Sequence, residues 1–340
     1  MERIDVNRID FDPELSEGAR NAVDVCLRLS PSERITIITD LEAIEIGAAL
    51  LAEVGRVGAE SRVFVLEEHA SRPLTGMPRA ILEDLTRSQV SIFAASALAG
   101  ELSARFEMTE VVNRRRIRHG HMVNINERIM KEGMRADFGE VDSLSTRLVE
   151  KARRTRSIVA KSKGGTDLVA EFSPDLRWVK TSGIISPDKW GNLPGGEIFT
   201  SPASVNGVFV VDGVVGDYLC RKYGDLRDTP LTIEIRDARI VDLRCANAEL
   251  LDEFARYTTT DENSNRVGEF AIGTNTAVKG VIGHILQDEK IPGVHLAFGH
   301  PYSEHTGQSW RSRTHIDCVG RDFDIWMDGE QVMAGGAFRV

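Results

Sequence analysis

The chain has 340 residues and carries 42 Lys+Arg against 52 Asp+Glu, a formal charge of −10 at pH 7. That acidity excludes a nucleic-acid binder that works by neutralising phosphates. A hydrophobic share of 41% with 28% charged residues excludes an intrinsically disordered chain, and the length suits about two domains with cores of their own.

No apolar run approaches the ~18–20 residues of a membrane helix. The N-terminal MERIDVNRID alternates charge with aliphatics where a signal peptide would be apolar, so a cytoplasmic protein without a membrane or nucleic-acid partner is expected. Cys26, Cys220, Cys245 and Cys318 are far apart with no CxxC spacing, which predicts reduced thiols, neither a disulfide framework nor a zinc ribbon.

From Pro13 to about Met130, helix-period segments alternate with short β-branched runs. The pattern predicts helices over 21–29, 42–54, 79–85 and 102–112, and strands over 35–39, 61–66, 90–95 and 121–125. Such alternation implies crossover units, hence a doubly wound parallel α/β domain. No GxGxxG or GxxxxGK[ST] follows a strand, so this domain reads as a scaffold rather than a nucleotide site. The run Arg114, Arg115, Arg116 and Arg118 reads as a solvated helix end.

A long amphipathic helix is expected over 141–159, after which the texture changes. Turn signals become dense at Gly164-Gly165, Pro187-Asp188, Gly195-Gly196, Asn206-Gly207, Asp212-Gly213 and Asp328-Gly329. Strand-like runs at 208–211, 232–235, 240–243 and 323–327 lie between them, with helices near 248–257 and 280–287. The second domain is therefore strand-rich α+β and antiparallel, and the division is drawn as 1–155 and 156–340.

Five of the eight histidines, His284, His295, His300, His305 and His315, cluster near the C-terminal end. In Thr314-His315-Ile316-Asp317-Cys318 the alternation predicts a strand with His315 and Asp317 on one face, an imidazole and a carboxylate at the fixed separation that metal ligands need. His295 in GVHLAFG sits where a histidine is ordinarily a satisfied core residue. Glu197 in PGGEIFTSP and Glu269 in VGEFAIGTN each follow a glycine and precede an apolar run, where glutamate is rare unless paired or bound to a cation.

In the order and spacing of PGGEIFTSP, GEFAIGTN, HLAFGHPY and THID, the sequence resembles the aminopeptidase T family of metallopeptidases, often called leucyl aminopeptidases. The resemblance covers most of the second domain. It implies two divalent metals held by Glu197, Glu269, His295, His315 and Asp317, with Tyr302 at the metals or against the substrate. It also implies a homodimer acting on a small peptide or amide.

Three carboxylates and two imidazoles without a thiolate suit Zn, Co, Mn or Fe(II). A metal pair needs a bridging carboxylate, for which Glu269 is chosen, and it activates water for amide hydrolysis. Glu269 and Tyr302 are the candidate catalytic residues, Tyr302 as a hydrogen-bond donor to the oxyanion. His300, His305 and Arg311, on the same loop, are expected to be solvated.

Family peptidases carry an acid–asparagine pair shortly before the histidine of the HLA-type motif, where this chain has Ile291-Pro292-Gly293-Val294. With the compact stretch between Glu269 and His295, this suggests a smaller substrate. The dihydroxypyridine ring-opening dioxygenases form a second class with a similar fold and HxD strand, using one Fe(II) on a two-His, one-carboxylate triad. They have histidine where this chain has Glu269. A pathway-specific non-peptidase relative and a non-enzymatic metal-binding protein are the remaining readings.

Overall fold

A computed structural model describes residues 4–340, so the first three residues of the N-terminal stretch lie outside it. The described chain divides into two units, one of residues 4–139 and 183–195, the other of residues 140–182 and 196–340.

In the first unit, Arg34–Thr39, Glu60–Val65, Val90–Ala94, Arg118–His121 and Gly191–Asn192 form a parallel sheet. Their spatial order begins with Glu60–Val65, followed by Arg34–Thr39 and then the other three in chain order. Ile35, Ile37, Ile38, Ile92 and Phe93 are buried, as expected of parallel strands covered on both faces. Helices Ile44–Val57, Arg79–Leu85 and Leu102–Arg115 supply the crossovers. This is the α/β class that the alternating pattern implies. The Asn21–Leu29 segment is helical only to Cys26 and continues the Leu15–Arg20 helix with wider, π-type turns.

The strand expected at 121–125 lies instead at Arg118–His121, because the buried His119 and His121 fill inward positions that the apolar pattern does not mark. Arg114, Arg115 and Arg116 are exposed, as expected for a solvated helix end. Arg118 departs from that reading, since its guanidinium grips Glu33 at 2.7 and 2.9 Å and the Leu27 carbonyl at 2.8 Å.

Two antiparallel sheets make up the strands of the second unit. One has eight strands, in the spatial order Arg239–Arg244, Leu231–Arg236, Ser204–Val211, Asp167–Glu171, Ser157–Ser162, Phe323–Met327, Glu330–Ala334 and Ala337–Phe338. The other has five, in the order His315–Val319, Gly293–Gly299, Val267–Gly273, Glu197–Thr200 and Val179–Thr181. One apolar cluster draws on both sheets, with Ile158, Ala160, Phe209 and Ile233 from the first and Ile198, Phe270, Ile272, Leu296, Phe298 and Ile316 from the second.

The long helix spans Phe138–Ala152 and stops before Ile158 and Val159, which pair as part of a strand with Phe323–Met327. This helix belongs almost wholly to the second unit, so the division falls at Gly139/Glu140 rather than 155/156. Residues 183–195 rejoin the first unit because Gly191–Asn192 pairs with Arg118–His121.

The Asp328-Gly329 signal is a hairpin turn, with φ of 48° and 87° at its two residues. Asn206-Gly207 is not a turn but lies inside Ser204–Val211, where a Cβ on Gly207 would come within 2.3 Å of the Asp167 carbonyl oxygen. Asp212-Gly213 is not a hairpin either. The Gly213 amide donates to the Val319 carbonyl, and the chain proceeds to the Asp217–Tyr223 helix. The helix expected over 280–287 is reduced to Ile285–Asp288.

Candidate metal centre

The five-stranded sheet brings the sequence-predicted ligands to one face. Glu269 and Asp317 pair with Ala297 from opposite sides, so Glu269, Ala297 and Asp317 form a row across three strands. His295 pairs with Ala271, His315 with Gly299 and Glu197 with Gly273. The period of two keeps all of these on the same side. Ala271, Ala297, Gly273 and Gly299 are among their in-line partners, which leaves space above the sheet to the functional side chains. Phe270, Ile272, Leu296, Phe298, Ile316 and Cys318 point the other way into the core.

Glycine is required at 268 because of close backbone approach. The register shifts between Val267 and Glu269, and a Cβ on Gly268 would lie 2.1 Å from the Gly299 carbonyl oxygen. Gly268→Ala is expected to lower stability by about 1–3 kcal/mol and to weaken metal binding through Glu269. Urea denaturation and metal analysis of the variant check this; a stable variant with full metal content would contradict it.

Two groups of ligand atoms form, each within 4.8 Å: Glu197, Glu269 and His295, and Glu269, His315 and Asp317. Glu269 is common to both. His295 Nε2 lies 3.6 Å from Glu197 Oε2 and 3.5 Å from Glu269 Oε1. His315 Nε2 lies 3.3 Å from Asp317 Oδ1 and 3.8 Å from Glu269 Oε2. These separations are too long for good hydrogen bonds and suit donors facing a shared cation. Glu269 Oε2 is buried with no hydrogen-bond partner, an atom that a cation would satisfy. The residues therefore fit divalent metal.

His315 Nδ1 donates to the His300 carbonyl at 2.9 Å, which fixes the tautomer and leaves Nε2 free as a ligand. The Tyr257 hydroxyl donates to the His315 carbonyl at 3.1 Å and tethers the same residue.

Electrostatics give the cluster a demand for positive charge. Burial alone would lower both imidazole pKa values. The neighbouring Glu269 and Glu197 carboxylates instead push His295 up to about 9, and Asp317 with Glu269 pushes His315 up to about 10. Burial raises the Glu269 carboxyl, with the neighbouring imidazoles opposing it. Glu197 goes the other way, because Lys290 and His295 outweigh its burial.

The Tyr302 ring packs against His315 at a tilt of 51°, with centroids 4.6 Å apart, and lies near Phe199. Its backbone is left-handed, φ 47°, a conformation that a bulky residue adopts only when its surroundings enforce it. Burial, followed by the charges of Glu269 and Asp317, raises its hydroxyl well above the ordinary value, so it remains a donor at neutral pH.

His305 and Arg311 are exposed, as expected. His300 is not simply solvated: its carbonyl anchors His315, and its Nδ1 accepts from the Tyr302 amide at 3.0 Å.

Sequence reasoning missed Glu289, Lys290 and Thr181. Lys290 is 1% exposed, and its ammonium lies 2.7 Å from Glu197 Oε1 and 2.5 Å from Glu289 Oε1. Thr181 Oγ1 donates to the same Glu197 oxygen at 2.8 Å. Burial raises the Glu289 carboxyl to about 8, with Lys290 opposing and Asp317 and Glu197 adding to the rise. An acid thus faces the cluster from just before the GVH strand, although Ile291–Val294 contain none. The signal was the Asp288-Glu289-Lys290 run between apolar segments, which reads as a solvated turn.

Beside His315 lies a cavity of about 570 Å³ lined largely by Tyr218, Leu219, Tyr257 and Ile316, with Asp217, Glu253 and Arg256.

The thermophilic metalloprotease (M29) family matches residues 141–321, more than half of the chain, and the match contains all five ligand candidates. The chain belongs to that family. It is accordingly an enzyme, a metal-dependent hydrolase of peptide bonds. Among solved structures it is similar to AmpT from Thermus thermophilus, with a TM-score of 0.70 and 18% identity over 97% of this chain and 100% of that one. It is also similar to 2,5-dihydroxypyridine dioxygenase from Pseudomonas putida KT2440, with a TM-score of 0.67 and 16% identity over 99% of this chain and 98% of that one. At such identities the likeness establishes the fold. Comparison with curated proteins gave no match. No helix among the described residues is long and apolar enough to cross a membrane.

Proposed function

We propose that the second unit is the catalytic body of a two-metal hydrolase that cleaves amide bonds in small peptides or aminoacyl amides, with the first unit as its scaffold. The observation that carries this reading is the sharing of Glu269 by both ligand groups, with its Oε2 buried and unpartnered. Glu197 and His295 would complete one position, His315 and Asp317 the other. Divalent metal held there makes water nucleophilic at neutral pH and polarises the scissile carbonyl.

The chain's own groups would do the rest. Tyr302, protonated and half-buried beside His315, would donate a hydrogen bond to the developing oxyanion. The bond from His315 to the His300 carbonyl would keep its imidazole aimed while charge develops. A homodimer is the expected assembly, by the same resemblance.

A mononuclear Fe(II) oxygenase fits the donor set less well. Neither ligand group contains two histidines and one carboxylate; one is Glu, Glu, His and the other Glu, His, Asp. The deciding experiment strips the protein of metal, restores Zn, Co, Mn or Fe(II), and assays aminoacyl amides, short peptides and dihydroxypyridines. Amide hydrolysis restored by Zn, Co or Mn is expected. Oxygen uptake with one iron per chain, and no hydrolysis, would overturn the proposal.

A further inference from the structure

Lys290 is a cation held at the edge of a site built for cations. Its ammonium bonds to Glu197 Oε1 and to Glu289, and Thr181 donates to the same Glu197 oxygen. Glu197 therefore has one oxygen fully engaged by protein donors, and only Oε2 faces His295, at 3.6 Å. Around the other ligand group the surroundings differ. His315 is anchored through a neutral carbonyl, and among the described residues no lysine or arginine forms an ion pair with Glu269 or Asp317.

Two positions that share Glu269 are thus unequal in charge and in donor supply. Glu269, His315 and Asp317 offer two carboxylates with no lysine or arginine bonded to either, the Lys290 charge reaching Asp317 only at longer range. At the other position, one carboxylate has half its oxygens withdrawn and a positive charge within hydrogen-bond reach, which a dication feels as repulsion.

We propose that Lys290 sets the order of metal occupancy, so that the Glu269–His315–Asp317 position fills first and the Glu197–Glu269–His295 position is the weaker and more readily exchanged. This rests on the two-metal reading above. Lys290 is a positioning residue, acting on metal through Glu197.

The test titrates metal-free protein with Co(II), following heat and the visible spectrum of the bound ion. Wild type should bind in two steps whose affinities differ at least about tenfold. Asp317→Asn should lose the tight step, and Glu197→Gln should keep it. Lys290→Met should narrow the gap by strengthening the second step, because Glu197 is freed and the repulsion is gone. Should Lys290→Met fold poorly, Lys290→Met with Glu289→Gln removes the buried charges as a pair and should show the same narrowing.

Two equal steps in wild type, or a weaker second step without Lys290, would overturn this role while leaving the two-metal reading intact. A single equivalent in wild type and in both Lys290 variants would overturn the two-metal reading itself. Spectrum and stoichiometry report the outcome without reference to turnover.

Discussion

Glu269→Gln is expected to abolish metal binding at both positions and to lower amide hydrolysis by at least about a thousandfold, while leaving the fold intact. The substitution keeps the shape of the side chain but removes the charge common to both ligand groups. It also presents an amide N–H₂ to histidine nitrogens and carboxylates arranged around a cation. Stability should move the other way. Burial already raises the Glu269 carboxyl, so a neutral amide is easier to hold there, and the metal-free variant should be at least as stable as the metal-free wild type.

Metal stabilises whatever binds it, by roughly 4 kcal/mol when free metal exceeds its Kd a thousandfold. Thermal unfolding with and without chelator should therefore show a large metal-dependent rise in Tm for wild type and almost none for Glu269→Gln. A variant that still took up both metals would remove Glu269 from the bridge. A metal-free variant much less stable than metal-free wild type would recast it as a structural residue.

The two candidate glutamate ligands stood out in the sequence because they break a local rule. Glutamate after glycine in an apolar run, as at Glu197 and Glu269, has no reason to be there unless it meets a cation or a partner. The alternation of His315 and Asp317 fixes their common face whatever the rest of the fold does. What could not be read was the second layer. Lys290 belongs to a charged triplet that looks like a solvated turn, and only the pairing of Gly293–Gly299 beside Val267–Gly273 brings it to Glu197.

Backbone proximity was hidden for a similar reason. Asn206-Gly207 has the composition of a turn, yet its glycine serves a close approach to a neighbouring strand. The return of residues 183–195 to the first unit depends on a two-residue strand, Gly191–Asn192, too short to leave a periodic signal. His119 and His121 concealed a buried strand because histidine there does not read as core.

Those two histidines should make the first unit acid-labile. His119 accepts or donates one hydrogen bond with Ser91 Oγ at 2.8 Å and one with His121 Nδ1 at 3.2 Å, and Trp190 packs on both rings. Burial lowers His119 to about 3 and, together with the His119 and Arg105 charges, lowers His121 well below its ordinary value. Above about pH 6.5 both are neutral whether the chain is folded or not, so their contribution is fully present there. As the pH falls below 6.5 the unfolded chain takes up protons that the fold refuses. Stability then declines through the window between about 6.5 and about 3. Over the whole window His119 alone is worth roughly 4–5 kcal/mol, a large share of a typical domain's stability.

Urea midpoints of the full chain, measured between pH 7.5 and 4.5 at constant metal, should fall steeply for wild type. His119→Asn, which keeps a partner for Ser91, should start lower at pH 7.5 and fall less. Subtracting the two curves cancels the carboxylates that titrate in the same range, so parallel curves would show that the fold does not hold His119 neutral, whereas convergence towards acid pH would give the size of its contribution directly.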